Sequence, residues 1–485
     1  MVSVRVDIVS KEMIKPSSPT PDHLRSYQLS FLDQISPPLF VPFVMFYDKE
    51  KDSTNNYNDV VEISTKLKTA MSHVLTQFYP LAGRLSEATA SVDCNDMGIP
   101  FFEAKVSCQL SEFLAQNPIL PIELNKFIPF KPDYEEVSHL PLGIQLNIFK
   151  CGSIAIGSCI SHKFVDGISY FMFLNRWTAI ARGDQDQQLR FEAASLFPPM
   201  NLSQYNSKTG FVNKNSMSFT SKRFVFKASS IKDLKQRYVV DNKSVSRVEA
   251  LSAFIWNRFV AVDDLSKKTN NYVMSYPMNL RNRFDPPLLD CSFGNIFRLV
   301  MFDVDVSEDN ECEIFIRKLR EEFSHIDGKY LKMLQQQEGM VKHLDFIKKM
   351  TNEKTLFSFS SWCRFPLYES DFGWGKPVWV GVPPFPSNNL VVLMDSKSGD
   401  GGIEAFINLD KNVMDKLESD EEFLAFVSMD GNFSRRSRSR DKDQQLFVFK
   451  ASRIKDLKQK YVVDNKSVSC VEALSAFIWN CFVVV

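Results

Sequence analysis

Net charge and histidine are what this 485-residue chain has least of: 58 Lys and Arg stand against 58 Asp and Glu, and there are six His. A balanced chain gives no electrostatic footprint for nucleic acid or an anionic membrane, so neither is an expected partner. Long apolar runs are missing too. The stretch from Leu39 to Tyr47 is short and interrupted by Pro42, too little to span a bilayer. At the start, Val2, Val4, Val6 and Ile8 alternate with Ser3, Arg5 and Asp7, which reads as a strand and not as the apolar block of a signal peptide. A cytoplasmic protein is the expectation. The nine cysteines are odd in number and include no Cys-x-x-Cys, so neither a disulfide framework nor a zinc site is expected, only reduced and mostly buried thiols. There is no Gly-x-x-x-x-Gly-Lys-Ser/Thr loop, no Gly-x-Ser-x-Gly elbow and no His-Glu-x-x-His helix. Nucleotide hydrolysis, serine-hydrolase chemistry and metal-assisted hydrolysis fall away with them.

What is present is enough apolar sequence, 44%, for one large or two medium cores, and two domains is the better expectation at this length. Phenylalanine is in excess, 42 against 13 Tyr, which either fills a large core or also lines a pocket for a flat, greasy acceptor. Ile63, Leu67, Ala70, Met71, Val74, Leu75 and Phe78 recur at helical spacing, opened by Asn58 or Asp59 and stopped by Pro80. Leu142 to Phe149 and Ser153 to Ser161 read as a hairpin around Cys151-Gly152. That hairpin delivers His162-Lys163-Phe164-Val165-Asp166-Gly167 to a junction between a strand and the helical pattern that follows. An imidazole at such a rim, titrating near neutrality, can take a proton from a bound alcohol or amine. Cys159, three residues earlier, admits a Cys/His nucleophile reading beside a packing one. Further on, Ser246-Arg247-Val248-Glu249 forms a capping box ahead of Leu251, Phe254, Ile255 and Phe259.

His-x-x-x-Asp alone is a weak signal. The second motif, Asp371-Phe372-Gly373-Trp374-Gly375-Lys376-Pro377, lies about two hundred residues downstream, and no propensity argument would order those residues so. Together the two resemble the signatures of the plant BAHD acyltransferases. Tyr79-Pro80-Leu81-Ala82-Gly83-Arg84, Val92-Asp93-Cys94-Asn95-Asp96, Asn279-Leu280-Arg281, Ser361-Trp362-Cys363-Arg364 and the opening Lys15-Pro16-Ser17-Ser18-Pro19-Thr20-Pro21 agree, the last two with the vinorine synthase branch. The resemblance covers roughly residues 8 to 428.

It implies an α/β fold: two similar-sized chloramphenicol acetyltransferase-like domains with an active-site tunnel at their interface. Residues 1–200 would form the first, 201–215 a crossover and 216–428 the second, with about 357–383 returning to the first. It implies no bound cofactor and acyl-CoA, most simply acetyl-CoA, as co-substrate. The activity would be O-acylation of a specialised metabolite, an alkaloid in the leading reading and an acylsugar or other alcohol in the next, by a monomer acting on small molecules. His162 would be the general base. Asp166 would point away from it and pair with Arg281, supporting the turn, while Gly167 permits close approach of the backbone. Asp371, Phe372, Gly373, Trp374 and Gly375 would be structural support remote from the reacting atoms. Between Asp395 and Ala405 the chain carries one more glycine than this branch leads one to expect, which lengthens a loop.

The end of the chain is unusual. Phe447 to Val485 repeats Phe224 to Val262 except at Ser230/Arg453, Arg237/Lys460, Arg247/Cys470, Arg258/Cys481 and Ala261/Val484. One near-identical copy is not a solenoid repeat. The expectation is a partial duplication over 429–485, not a functional domain, that is loosely attached or competes with the original; an inactive duplication product is the rival from another class. The linker Ser434 to Arg440 is basic and serine-rich, a solvated connection or a weak RNA-binding patch.

Overall fold

The computed structural model describes residues 4–428 apart from 50–59, 87–88, 117, 131–138, 185–187, 203–218, 264–271, 290, 305–310 and 353. The proposed Asn58 or Asp59 cap, most of the crossover, the linker and the copied tail lie outside the described residues. Two six-stranded mixed sheets carry the architecture. The first runs in the order Val6–Ile14, Ile99–Val106, Leu142–Phe149, Ile154–Ser161, Phe40–Tyr47, Trp379–Gly381. The second runs Phe297–Asp303, Tyr272–Asn279, Thr355–Ser361, Leu390–Asp395, Ile403–Asp410, Phe219–Phe226.

The hairpin of the first sheet pairs Leu142 with Ile160 and Ile148 with Ile154. All eight residues of Ile154–Ser161 are buried, so small and apolar side chains must share both faces. Gly157 shows how tight this is, because a Cβ there would lie 1.9 Å from the Phe127 carbonyl oxygen. Helix Val60–Gln77 turns Ile63, Leu67, Ala70, Met71, Val74 and Leu75 inward, the stripe its spacing predicts. Each of these side chains other than Ala70 contributes about 1.5–3 kcal/mol when removed from water. The N-terminal strand starts at Val6 and continues to Ile14 through Ser10, Lys11 and Glu12, with an irregularity between Ile8 and Ser10. It is an edge strand, and three of its five apolar positions, Ile8, Val9 and Met13, face water.

The segment that crosses back is shorter than the 357–383 read from the sequence. Thr355–Ser361 stays in the second sheet, parallel to both neighbours, with Phe357 and Phe359 buried among the helices there. The chain leaves after Ser361, and only Trp379–Gly381 pairs with Phe40–Tyr47. Most phenylalanines among the described residues are buried or half-buried in the two main cores. Among the described residues no helix is long and apolar enough to cross a membrane, and no group of three or more His, Cys, Asp or Glu could hold a metal ion.

One core histidine makes a prediction about acid stability. His343, on helix Gln337–Thr351, is buried against Phe31, and its Nδ1 meets no hydrogen-bond partner. Burial first and the nearby Arg298 second push its imidazole down to about 3. Below about pH 6.5 the unfolded chain therefore binds a proton that the folded chain refuses until about pH 3. Stability falls as pH falls through that window, by about 5 kcal/mol in total at about 1.36 kcal/mol per unit. Urea melts near neutrality and near pH 4 should show a smaller drop for His343→Leu than for the wild type.

Candidate active site

His162 stands just past strand Ile154–Ser161, where its backbone N–H donates to the Leu39 carbonyl at 2.9 Å. Its ring Nδ1 lies 3.2 Å from Asn295 Oδ1. The orientation of that amide follows from its other contacts. Asn295 Nδ2 donates to the His162 carbonyl at 2.8 Å and to Asp33 Oδ1 at 2.8 Å, and a carbonyl oxygen can only accept. The Oδ1 facing the imidazole is therefore an acceptor, so Nδ1 carries the proton and Nε2 keeps its lone pair. Burial holds the imidazole below its ordinary pKa of 6.5, against smaller opposing effects of a backbone hydrogen bond, Asp166 and Asn295. A neutral ring with a free Nε2 is the form a general base needs near pH 7. Phe297 packs against it with ring centroids 5.2 Å apart.

Asn295 is itself fixed by Asp33. This carboxylate closes a capping box with Ser30 at the start of helix Phe31–Ile35, accepting the Ser30 N–H at 2.8 Å, and it also accepts the Asn295 backbone N–H at 2.9 Å. Burial raises its pKa, while the hydrogen bonds from Ser30 and Asn295 act the other way. Neither Asn295 nor Asp33 stands out in the sequence as part of the site. Ser30-Phe31-Leu32-Asp33 is legible as a capping box, but nothing local in Phe293-Gly294-Asn295 announces a partner 133 residues away.

Asp166 caps helix Gly167–Arg182 by accepting the Ser169 N–H at 2.8 Å. Its Oδ2 lies 2.7 Å from Arg281 Nη1 and also accepts the Ile296 N–H at 3.0 Å. Arg281, wholly buried, further donates to the Ser292 carbonyl at 2.9 Å, the Gly294 carbonyl at 3.1 Å and Ser169 Oγ at 3.1 Å. Burial alone would raise the Asp166 carboxyl; Arg281 and the hydrogen bonds outweigh it and hold it below its ordinary value. With both oxygens engaged this way, Asp166 makes no hydrogen bond to the imidazole. It clamps the loop Ser292–Ile296, which carries Asn295, onto the turn that carries His162.

Gly167 opens the same helix. A Cβ there would meet the Phe365 ring at 2.9 Å. Phe365 in turn packs at a tilt against Phe171, with ring centroids 4.9 Å apart. Gly167→Ala should therefore lower the melting temperature through overpacking worth about 1–3 kcal/mol and reduce turnover. Adding Phe365→Leu should restore part of both, checked by thermal melts and initial rates of the single and double variants.

The second motif lies at the other end of that helix. Arg182, its last residue, donates to the Asp371 carbonyl, placing the motif about 22 Å along the helix from Gly167 at 1.5 Å per residue. Asp371 Oδ1 accepts from the N–H groups of Gly373 at 2.7 Å and Gly375 at 3.0 Å. Both glycines have φ +104°, a conformation strained for any side chain. Phe372 packs edge-on to Trp177 at 4.8 Å and stacks on Trp374 at 5.3 Å, with Lys66 Nζ 5.6 Å from the Trp374 ring centroid. This is a pinned turn with no group near His162.

Cys159 is buried and its Sγ donates to the Phe130 carbonyl at 3.1 Å; burial pushes its thiol well up. That fits packing and not nucleophilic attack. The glycine-rich loop after Asp395 is tied down, since Arg247 donates to the Gly401 carbonyl at 3.1 Å and pairs with Asp395 at 2.9 Å. A cleft of about 180 Å³ opens beside the returning segment, lined among others by Pro384, Phe385, Val392, Phe406 and Asn408. It holds no titratable side chain and cannot itself do chemistry.

The family model described as Transferase family matches residues 4–424. Stemmadenine O-acetyltransferase of Catharanthus roseus is 39% identical over 437 residues, covering 88% of this chain and 99% of that protein. Vinorine synthase of Rauvolfia serpentina is 36% identical over 435 residues, with the same coverage of both. The crystal structure of vinorine synthase superposes with a TM-score of 0.74 at 35% identity, over 88% of this chain and all of that one. The chain, an acyltransferase, therefore belongs to the transferase family matched by residues 4–424, the BAHD acyltransferases, in the branch of vinorine synthase.

Proposed function

We propose that this enzyme transfers an acetyl group from acetyl-CoA to a hydroxyl of a rigid polycyclic specialised metabolite, an alkaloid in the first instance, with His162 as the general base. The observation that carries the proposal is the tautomer imposed by Asn295, which leaves His162 Nε2 as an acceptor. Nε2 takes the hydroxyl proton as the acceptor oxygen bonds to the thioester carbonyl carbon. The tetrahedral intermediate collapses, the carbon–sulfur bond breaks, and the departing thiolate takes the proton back from the imidazolium. No covalent acyl-enzyme is needed. Holding both substrates together supplies much of the remaining rate.

The acceptor class rests on relatives. Stemmadenine O-acetyltransferase and vinorine synthase point to alkaloids. A second reading, a limonoid alcohol, is favoured by limonoid acetyltransferases of Melia azedarach and Citrus sinensis at 33% identity. The test is release of coenzyme A thiol from acetyl-CoA with a panel of alkaloid alcohols, limonoid alcohols and partly acylated sugars. Turnover with alkaloids that is lost in His162→Ala supports the proposal. His162-dependent turnover confined to another class replaces the acceptor and keeps the mechanism.

The copied tail is outside this chemistry in the same reading. In the original segment Arg247 pairs with Asp395 at 2.9 Å and Arg258 with Glu422 at 2.6 Å, and just ahead of it Arg223 pairs with buried Glu404 at 2.6 Å. The copy carries Cys470, Cys481 and Leu446 at those places, so it offers none of the three cations. Substituting it for the original would leave those carboxylates without their arginines, an electrostatic loss that favours the original. Removal of residues 430–485 is expected to change turnover less than twofold, measured by the same thiol assay; recovery of an otherwise silent protein on truncation would make the tail an inhibitor.

A further inference from the structure

The hairpin that ends at His162 has a second chemically notable place at its far end. Strands Ile99–Val106 and Leu142–Phe149 run parallel, and their last registered pair is Val106 with Phe149. Two residues beyond that pair on each chain stand Cys108 and Cys151. The two segments stay together past the ladder: the Lys150 N–H donates to the Cys108 carbonyl at 3.1 Å, and the Leu110 N–H donates to Cys151 Sγ at 3.5 Å. Cys151 therefore turns its sulfur back onto the segment that carries Cys108. Neighbouring strands lie about 4.8 Å apart, and a disulfide needs a Cα separation of about 4.4–6.8 Å.

The two thiols are unequal in a useful way. Cys151 sits on the exposed turn of the hairpin, closed by the Gly152 N–H donating to the Phe149 carbonyl at 2.9 Å, while Cys108 is buried. Burial would raise the Cys151 thiol, but hydrogen bonds from Ser153 and the Leu110 N–H bring it below its ordinary value. The Cys108 thiol is raised, by burial first, then by Glu112 and by Cys151 itself. An accessible thiol of lowered pKa beside a buried one of raised pKa is the arrangement of an attacking and a resolving cysteine.

We propose that Cys108 and Cys151 form an oxidisable pair that closes into an intramolecular disulfide when the protein meets a peroxide. The Cys151 thiolate attacks one oxygen of hydrogen peroxide; an S–O bond forms, the O–O bond breaks and hydroxide leaves. Cys151 is then a sulfenic acid. The Cys108 thiol attacks its sulfur, the S–S bond forms, the S–O bond breaks, and water leaves with the Cys108 proton. Overall two thiols and one peroxide give one disulfide and two waters. The bond clips the hairpin turn to the segment ahead of helix Leu110–Leu114, at the opposite end of strand Ile154–Ser161 from His162. It constrains the unfolded chain and raises the melting temperature without touching the imidazole.

The experiment treats reduced full-length protein with hydrogen peroxide, alkylates the remaining thiols and maps unreduced tryptic peptides by mass spectrometry. Cleavage gives 106–126, carrying Cys108, and 151–163, carrying both Cys151 and Cys159, so fragmentation must place the link. The expected result is a linked pair lighter by two hydrogens, joined at Cys151, reversed by dithiothreitol together with the rise in melting temperature. Cys108→Ser should leave Cys151 as a sulfenic acid that dimedone traps, and Cys151→Ser should leave Cys108 reduced. Oxidation of wild-type Cys151 to sulfinic acid without a link, an unreacted Cys151 while other thiols oxidise, or a link through Cys159 would each overturn the proposal.

Discussion

Replacing His162 by alanine is expected to lower acetyl-transfer turnover by about 10²- to 10⁴-fold, the contribution of a positioned general base. The melting temperature should change little, because the ring's hydrogen bonding to the protein is a single contact, Nδ1 to Asn295 at 3.2 Å. The split between rate and stability is informative. Without the imidazole the acceptor hydroxyl must lose its proton to water as it attacks, while binding of both substrates persists. Asn295→Ala should cost less than His162→Ala, since it frees the ring to adopt the other tautomer instead of removing it. An Asn295 variant as slow as His162→Ala would mean that the tautomer lock matters as much as the base.

Asp166→Ala should behave differently, losing stability and rate together. Arg281 is wholly buried and Asp166 is 5% exposed, so removing the carboxylate leaves a guanidinium with no counterion inside the protein. Breaking such a pair costs about 3–5 kcal/mol, a large part of the roughly 5–15 kcal/mol that holds a typical domain folded. Arg281→Ala should cost a similar amount by stranding the carboxylate. Because Asp166 is held below its ordinary pKa, the stability it contributes is present above about pH 3.8 and is lost as pH falls through that lowered value. Rate falls with stability because the pair fixes the loop that presents Asn295. Equilibrium unfolding in urea and turnover on the same preparations check both; an Asp166→Ala protein of wild-type stability but no activity would give the carboxylate a direct part in proton transfer.

How much of this was readable in advance depends on the range of each interaction. Helix Val60–Gln77 and the hairpin ending at Ser161 are set by apolar spacing, and the Ser246–Glu249 box by contacts three residues apart, so all are legible locally. His162 and the Asp371–Gly375 turn are legible as motifs, and the pairing of Asp166 with Arg281 came from resemblance, since 115 residues separate them. The Asn295–Asp33 support was missed because its bonds join positions 133 and 262 residues apart, and neither residue type is unusual. The bounds of the returning segment came from resemblance alone; sheet pairing is what separates Thr355–Ser361, in the second sheet, from Trp379–Gly381, in the first.

The measurement that tests the account most directly is the pH dependence of acetyl transfer in a single turnover, from about pH 5 to about 9 around the ordinary histidine range. A neutral base held below 6.5 predicts a rate that is flat through neutrality and falls on the acid side only below that value, as His162 takes up a proton. A rate that keeps climbing into the alkaline range, or an acid limb that survives in His162→Ala, would contradict His162 as the base.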